Sequence, residues 1–398
     1  MNKKISAAVA SAALVLGATS ANAGIIIPAG EWTVDINGNV NVYATYASAD
    51  DTASVGVAGG LAMVEDASGE DKDQGIGTGL LPAWLGITAT TRQNDLDVSW
   101  TISMQPNVSE NNTMGDSGDI VAWRQAFLTF GDKSWGSIKM GKDIGIFAAN
   151  AILNDMTLLG VGSGGGHSGG NFTNGHIGTG YVYPAWKGQI TYTTPNFNGF
   201  TAKIGITNPN QGGDASVQSL YQDRFGLEAQ LEYAFDSGKV WSSFASYDLT
   251  DNNSDVEPQA IDVGAAMNFG NIGVVAYYYT TQGVGALFFN DGAFGSARSG
   301  VASGGTERDG DGGYVQATYV IPSGTKLGVS YGRSSLDTEA SDTAGSVLDY
   351  NEMWTVGAYH PLTKHLNLVA EYNSIESKDH GGAVAESDSL SLGAILFF

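Results

Sequence analysis

Residues 142–186 read KDIGIFAANAILNDMTLLGVGSGGGHSGGNFTNGHIGTGYVYPAW. This glycine-rich stretch lies between two short segments, 134–141 and 186–194, in which polar and apolar residues alternate. A connection of this length within a β region is usually functional or disordered. We predict that it is functional and that the fold is organised around it.

The segments on either side carry the pattern of half-buried strands. In residues 32–46 apolar side chains occupy nearly every second position, and polar side chains stand between them. Residues 96–104 alternate in the same way. A period of two places one row of side chains on each face of a strand. Each segment is therefore expected to have one apolar face and one polar face.

Sixteen strands of this kind are predicted along the chain. They are residues 32–46, 81–91, 96–104, 120–130, 134–141, 186–194, 199–207, 225–235, 240–249, 261–269, 272–282, 314–321, 326–334, 352–360, 366–373 and 389–398. No helical periodicity separates them, so successive strands are expected to be antiparallel neighbours. Short and long connections alternate strictly, which places all the long loops at one end.

This asymmetry of the connections distinguishes a membrane barrel from a soluble β-sandwich. Outer-membrane barrels have short periplasmic turns and long external loops. The last strand ends at Phe398, and its pairing with the first would close the sheet, because an open edge is not tolerated in lipid. Aromatic residues near strand ends fit interfacial girdles: Tyr46, Trp186, Tyr233 and Tyr372. We predict an all-β fold, a transmembrane antiparallel up-and-down β-barrel of about 16 strands.

Residues 1–23 are predicted to be a cleaved signal peptide. Lys3 and Lys4 precede an apolar run, and Ala21-Asn22-Ala23 provides a small-residue cleavage site. The apolar run is too short to span a bilayer as a helix. Residues 24–398 are then expected to form one barrel domain in the outer membrane of a Gram-negative bacterium.

Composition excludes several other classes of protein. The net charge is −23, so the chain repels nucleic acid. It contains no cysteine, which excludes a disulfide framework and a thiolate metal site. The excess of carboxylates indicates a mild preference for cations in a channel.

Several short motifs resemble those of the general porins of Gram-negative bacteria. They are Arg124-Gln125-Ala126-Phe127, Gly136 to Lys142 (GSIKMGK), Ile190 to Phe200 (ITYTTPNFNGF), Val356 to Tyr359 (VGAY), Pro361 to Lys364 (PLTK) and the terminal Phe398. The resemblance implies a sixteen-stranded and usually trimeric channel for passive diffusion of ions and small hydrophilic solutes. It also implies that the third external loop, here residues 143–185, folds into the lumen as the constriction loop. No cofactor, catalytic site or metal site is implied.

The resemblance also indicates which charged residues line the constriction. Lys142 stands where the family commonly has an arginine on the wall facing the loop. With Arg124 and Lys139 on neighbouring strands, it would form a cationic wall opposite Asp143 and Asp155, and such a pair of walls orients permeating dipoles and filters ions. The acidic core that the family usually has in this loop is absent here.

Three further charged residues are expected in the lumen. If Phe225 and Leu227 face lipid, Arg224, Glu228 and Glu232 face the interior, where they pair or line water. External acidic loops are expected to contact lipopolysaccharide phosphates through divalent cations, in addition to the lipid contacts of the barrel.

Other chemistry is weakly supported by the sequence. The run Gly166-His167-Ser168-Gly169-Gly170 matches a nucleophile elbow but lacks the strand-to-helix context that this motif requires. His167 and His176 are expected to be solvated rather than metal ligands. Glu307, Asp309 and Asp311 form an acidic tip with oxygen ligands of the kind that Ca²⁺ prefers, although a hydrated loop is the simpler interpretation.

Two alternative functions remain open at this stage. One is a substrate-specific channel for sugars or dicarboxylates, in which Tyr181, Tyr183 or Trp186 stacks a ligand. The other is a secreted all-β carbohydrate-binding protein or glycosidase, and a retaining hydrolase needs two carboxylates about 5 Å apart. Saturable transport would favour the first alternative, and solubility without detergent would favour the second.

Overall fold

The computed structural model describes residues 24–50, 56–66, 68–106, 122–164, 172–208, 221–222, 224–251, 254–289, 294–343 and 345–398. The predicted signal peptide at residues 1–23 and the glycine-rich motif at 166–170, with His167, lie outside the described residues. All structural statements below concern the described ranges.

Sixteen strands of the described chain form one closed antiparallel ring. They are β1 (Trp32–Ala49), β2 (Trp84–Gln93), β3 (Leu96–Gln105), β4 (Ala122–Asp132), β5 (Gly136–Ile144), β6 (Trp186–Thr193), β7 (Phe200–Thr207), β8 (Gly226–Phe235), β9 (Gly238–Ser246), β10 (Gln259–Phe269), β11 (Ile272–Gln282), β12 (Asp309–Val320), β13 (Lys326–Leu336), β14 (Leu348–Pro361), β15 (Leu366–Asp379) and β16 (Val384–Phe397). Each pairs with the next along the chain. The predicted fold class is confirmed.

The ring closes between β1 and β16. Residues 39–49 of β1 pair with residues 387–397 of β16. At the end of this ladder Gly38 and Phe398 exchange backbone hydrogen bonds, 2.8 Å from Gly38 N to Phe398 O and 3.0 Å in reverse. A further strand, Ile25–Ala29, pairs with the first residues of β1 and continues the same edge.

Four more short strands lie outside the ring. Lys72–Gly77 pairs with residues 43–48 of β1. Tyr221–Gln222, Leu249–Asp251 and Ser254–Val256 form a small separate sheet. Neither feature was predicted, because the pattern of alternation is too short to detect in these segments.

The two faces of the barrel differ in polarity as the alternation predicts. Large apolar side chains are exposed on the outer face, among them Val40, Val42, Leu128, Met140, Ile190, Ile204, Leu231, Val263, Val315, Val329, Val356 and Leu392. Polar side chains are buried on the inner face, among them Asn39, Asn41, Ser103, Gln189, Gln230, Ser243, Ser330, Thr355, Asn373 and Ser391. Apolar surface of this extent is what a lipid environment requires.

The short turns gather at one end of the barrel. The β2–β3 turn has two residues, Asn94 and Asp95, at φ 48° and 63°. Asn and Asp tolerate the left-handed conformation that such hairpin turns need. At the other end, β14, β15 and β16 run past their predicted limits, and only residues 380–383 separate β15 from β16. The long connection predicted at 374–388 is therefore wrong: these strands continue outside the bilayer, where charged pairs such as Lys378 with Asp349 (3.2 Å) replace the apolar face.

One charged pair joins two of the long connections. The Arg308 guanidinium is fully buried and donates to both carboxylate oxygens of Asp342, 2.8 and 2.6 Å away. It also donates to the carbonyl oxygens of Ser296 and Ser299, at 2.9 and 2.6 Å. These bonds hold residues 294–308 against residues 337–343, and we call this contact the Arg308–Asp342 clasp. The Arg308 hydrogen bonds hold the pKa of Asp342 below its ordinary value.

Candidate functional site

Residues 145–185 leave β5, enter the barrel and return to β6; we call this segment the inward loop. It contains a short helix, α1 (Ala149–Asn154), and one 3-10 turn, Met156–Leu159. Its apolar side chains, including Phe147 and Val182, are buried against aromatic residues of the wall. The predicted inward fold is confirmed for the described part of the loop. Among the described residues no helix is long and apolar enough to cross a bilayer.

Glu228 on β8 anchors the start of the inward loop. Its carboxylate accepts the backbone N–H groups of Ile146 (2.5 Å) and Phe147 (3.0 Å). Lys187 Nζ lies 2.7 Å from the same carboxylate, and the Tyr247 hydroxyl also donates to it. Glu228 is fully buried. It faces the lumen as predicted, but it binds the loop rather than lining water.

Two more buried carboxylates hold other parts of the loop. Asp262 accepts the N–H of Ala148 (3.3 Å) and two hydrogen bonds from Ser243. On the opposite wall, Glu371 accepts the N–H groups of Val161 (2.7 Å) and Gly162 (3.0 Å). Neither carboxylate was predicted as a site residue, although the strand parity of each already indicates an inward side chain.

Uncharged wall residues complete the attachment. The Tyr314 hydroxyl donates to Ala151 O at 2.8 Å, and the Tyr43 hydroxyl donates to Leu159 O at 2.7 Å. The Gln316 side chain accepts from Met156 N at 2.8 Å. The inward loop is thus bonded to β1, β8, β10, β12 and β15, which lie on opposite sides of the ring.

Asp155 organises the interior of the loop instead of facing a cationic wall. Its carboxylate accepts from Thr157 N (2.9 Å) and the Tyr181 hydroxyl (2.8 Å) and lies 3.1 Å from His176 Nδ1. His176 Nε2 in turn lies 3.1 Å from Ser330 Oγ on β13. Burial raises the pKa of Asp155, but the facing His176 and the hydrogen bonds outweigh it, so this pKa lies below its ordinary value. The predicted position of Asp155 on the pore surface is wrong.

Arg124 lies between the β4 wall and the loop. Its guanidinium stands 4.3 Å from the centre of the Phe172 ring and 3.4 Å from the Tyr183 hydroxyl. A β-bulge opposite Ser103 lets Arg124 and Gln125 both turn inward, because a bulge shifts the alternation by one residue. The cavity beside them measures about 30 Å³ and is otherwise mainly apolar, lined by Leu80, Leu81, Pro82, Ile144, Ile152, Leu153, Leu158, Phe172, Tyr183 and Trp186.

Lys139 and Asp143 face the lumen from β5 and form an ion pair. Gln125 Nε2 donates to the other oxygen of Asp143 at 3.1 Å. Lys142 has the opposite parity: it is exposed on the outer side, next to Met140, and its Nζ donates to Trp123 O at 2.9 Å. The prediction that Lys142 faces the loop is therefore wrong by one residue of strand alternation.

Arg224 lies at the rim of the barrel rather than in the lumen. It donates to Ser246 Oγ (2.8 Å) and Tyr247 O (3.1 Å) and is 3.7 Å from Asp248. Phe225 and Leu227 are exposed on the outer face as expected. Arg224 precedes the first residue of β8, so the parity argument did not apply to it.

Two lysines that the sequence analysis missed lie below the loop with Lys139. Lys203 on β7 and Lys239 on β9 have inward parity, and we call Lys139, Lys203 and Lys239 the lysine row. Each stands within a few residues of a short turn, so the row lies on the short-turn side of the loop. Lys239 Nζ is 2.9 Å from Asn150 Oδ1 and 3.3 Å from Glu232.

A metal site is not formed by the acidic tip. Within the described ranges no group of three His, Asp or Glu residues could hold a metal ion. Glu307 instead accepts the backbone N–H of Glu257. Asp309 and Asp311 belong to β12, where the Tyr278 hydroxyl lies 3.3 Å from Asp311.

Solved structures with a similar fold include outer-membrane porins and channels. The chain is similar to the anion-selective porin from Comamonas acidovorans (TM-score 0.65, 15% identity, 92% of this chain and 100% of that chain). It is also similar to the channel DcaP of Acinetobacter baumannii (0.68, 15%, 93% and 99%) and to OmpT of Vibrio cholerae in its trimer form (0.55, 15%, 92% and 99%). At this identity the likeness concerns the fold alone. No curated protein matches the sequence.

Family membership follows from the sequence itself. A family model described as Gram-negative porin matches residues 10–380, which is most of the chain. The match agrees with the closed ring of sixteen strands, the apolar outer face and the loop folded into the lumen. The chain belongs to the Gram-negative porin family and is an outer-membrane channel for passive diffusion.

Proposed function

We propose that the chain forms a homotrimeric channel for ions and small hydrophilic solutes and catalyses no reaction. The observation that carries the proposal is the inward loop, which is bonded to strands on opposite sides of the wall and occupies part of the lumen. A lumen narrowed in this way admits only small solutes. The trimer form of the similar Vibrio cholerae structure supports the oligomeric state.

Planar-bilayer recording of the purified protein tests this proposal. A trimer is expected to give conductance steps that close in thirds, and to run as a heat-modifiable band on gels. A protein that stays soluble without detergent and passes no current would contradict the channel. Single, indivisible steps would contradict the trimer alone.

A substrate-specific channel is the second candidate, because aromatic rings meet a cation at the constriction. Phe172 and Tyr183 lie 5.8 Å apart, and the Arg124 guanidinium stacks on Phe172. Such a site suits a sugar ring or a carboxylate. Tyr181 does not contribute, since it is buried in the Asp155 network. Saturable block of the ionic current by one sugar or dicarboxylate, lost in Phe172→Ala, would support this candidate over the general channel.

Lipid and lipopolysaccharide are the proposed surroundings of the barrel. The acidic external loops would bind lipopolysaccharide phosphates through divalent cations. EDTA treatment of the purified complex is expected to release lipopolysaccharide from the protein. Unchanged co-purification in EDTA would contradict this contact.

A further inference from the structure

A second segment, in the connection between β1 and β2, also enters the barrel. Residues 57–64 read VAGGLAMV, contain no charged side chain and are half-buried; we call them the mouth segment. They contact β14, β15 and β16 near the ends of these strands that are remote from the short turns. The mouth segment therefore lies on the external side of the inward loop.

The backbone of the mouth segment is bonded to inward-facing side chains of three adjacent strands. Ser377 Oγ on β15 accepts the N–H groups of Leu61 and of the following residue, both at 2.9 Å. Asn351 Oδ1 on β14 accepts from Leu61 N at 3.0 Å, and Ser387 Oγ on β16 accepts from Met63 N at 2.9 Å. All three acceptor side chains are buried. The mouth segment is thus fixed to the inner face of the wall.

The other side of the mouth segment packs on the inward loop. A Cβ on Gly178 of that loop would lie 3.1 Å from Leu61 Cδ1 and 2.7 Å from Leu287 Cγ. Leu287 belongs to the connection between β11 and β12, and its carbonyl oxygen accepts the N–H of Tyr183 at 2.7 Å. Leu61 also packs against the apolar cluster inside the barrel. The mouth segment therefore spans the space between the inward loop and the wall formed by β14, β15 and β16.

The two segments inside the barrel are held by different chemistry. Three buried carboxylates accept N–H groups of the inward loop, whereas the acceptors of the mouth segment are one neutral amide and two hydroxyl groups. Hydrogen bonds to ionised groups are roughly twice as strong as those between neutral groups. The mouth segment is therefore displaced more readily than the inward loop. Its apolar side chains also give a passing ion no replacement for lost hydration.

We propose that the mouth segment is a second constriction of the channel, external to the inward loop, and that it sets the size of the solutes that enter from outside. This inference rests on the proposed channel function and names a determinant of its solute range. A solute that enters from the side of the long connections passes the mouth segment before it reaches the inward loop. The two constrictions act in series, so each limits the current.

A reversible disulfide tests the proposal, because the chain contains no cysteine of its own. A Cβ on Gly60 would lie 3.0 Å from Ser377 Cβ, and disulfides join Cβ atoms about 3.8 Å apart, so a small shift allows the bond. Oxidised Gly60→Cys/Ser377→Cys should conduct like the wild type in single-channel recording. Dithiothreitol then releases a segment that has lost its Ser377 acceptor. We expect the conductance to rise about 1.5-fold to twofold, because one of two constrictions in series is relaxed.

Exclusion of neutral polymers locates the effect at one end of the channel. Poly(ethylene glycol) of graded mass, added on the side of the long connections, should enter Asn351→Ala/Ser377→Ala at a larger mass than the wild type. The size limit from the short-turn side should not change, since the inward loop sets it. Ser374→Ala is the matched control, because it makes the same change on the outer face of β15, and it should behave like the wild type.

The outcomes separate this inference from the proposed function. Equal conductance of the oxidised and reduced cysteine pair, or an unchanged size limit in the alanine variant, overturns the second constriction alone. So does a folded barrel in which the two cysteines form no disulfide. If the alanine variant gives no heat-modifiable band, the redox step of the cysteine pair decides. A wild type without conductance overturns the proposed channel and the second constriction with it.

Discussion

Glu228 illustrates how a single lumen residue connects the wall, the inward loop and a second strand. Its carboxylate is fully buried, pairs with the equally buried Lys187 and accepts two backbone N–H groups. Removing one member of a buried pair leaves the other charge without compensation. Such a change typically lowers the free energy of unfolding by about 3–5 kcal/mol.

The substitution Glu228→Gln is therefore expected to destabilise the folded barrel by an amount in that range and to loosen the start of the inward loop. Thermal or urea unfolding followed by heat-modifiable gel mobility measures the change. Glu70→Gln, at an exposed position, is the control and should leave the transition in place. Equal transitions in the two variants would contradict the anchoring role of Glu228.

For single residues, the sequence predicted the strand face on which a side chain lies more reliably than the groups that the side chain contacts. Alternation placed Glu228 and Lys139 on the inner face correctly. It failed at Lys142, where a one-residue shift moves a side chain to the other face. Arg124 faces inward as predicted, but it does so because a bulge breaks the alternation. The burial of Asp155 depends on His176 and Tyr181, and nothing in their spacing predicts that these three side chains meet.

Two glycines allow separate parts of the inward loop to cross. Gly162 and Gly175 both have positive φ, 62° and 56°, and a Cβ on Gly162 would approach Gly175 Cα to 2.3 Å. A Cβ on Gly175 would lie 2.3 Å from Leu80 and 2.8 Å from Thr157. The crossing therefore requires glycine for space as well as for conformation.

We expect Gly175→Ala to displace the loop, to lower stability by about 1–3 kcal/mol through overpacking, and to increase the noise of the open-channel current. Gly270→Ala is the matched control, since Gly270 has φ 63° and its added Cβ would meet no described atom within 4 Å. Current noise and unfolding midpoints of both variants check the prediction. If both variants behave alike, backbone strain and not crowding explains the effect.

The Arg308–Asp342 clasp is expected to depend on pH. The pKa of Asp342 lies below its ordinary value because Arg308 donates to the ionised carboxylate. Its contribution to stability is hence fully present above the ordinary aspartate pKa of about 3.9, and it is lost as the pH falls through the lower folded value.

Hydrogen exchange of backbone amides in residues 294–308, measured between pH 6 and pH 3 after correction for the intrinsic rate, checks this expectation. Protection should fall at the acidic end in the wild type. Asp342→Asn should lack the acidic transition and show low protection throughout. A wild-type profile that is flat down to pH 3 would contradict a contribution of the ionised Asp342 to the protection of residues 294–308.

Among the elements, the strands were predicted well and the loops poorly. Period-two alternation continues for eight or more residues in most barrel strands, which is long enough to be recognised. Helix α1 has six residues, fewer than two turns, so it shows no detectable period. The ends of β14 to β16 were missed because charged residues interrupt the apolar face where the strands leave the bilayer.

For the whole molecule, the exposed apolar face makes stability depend on depth in the membrane. Val263 lies in the middle of β10, and Ile272 lies beside a short turn at the start of β11; both are exposed on the outer face. Val263→Arg is expected to cost about 2–4 kcal/mol, and Ile272→Arg about 0–1 kcal/mol. Reversible unfolding from lipid vesicles measures both. Equal costs would contradict the assigned depth.

The overall architecture could be predicted from the sequence because two regularities recur along the chain: the alternation of polar and apolar residues, and the alternation of short and long connections. The contacts of the side chains inside the lumen could not be predicted. Which carboxylates bind the loop and which lysines remain accessible depends on contacts between residues 80 to 210 positions apart, such as Glu228 with Ile146 and Glu371 with Val161.

The attachment of the inward loop to opposite walls has a mechanical consequence. A sheet closed into a ring can flatten into an ellipse with little change in its hydrogen bonds, and bonds running from Glu228, Tyr314 and Glu371 to a shared segment oppose that deformation. The inward loop therefore stiffens the barrel against flattening. Cutting or deleting it therefore alters the cross-section of the tube as well as its obstruction, and the current through such a variant reports both changes together.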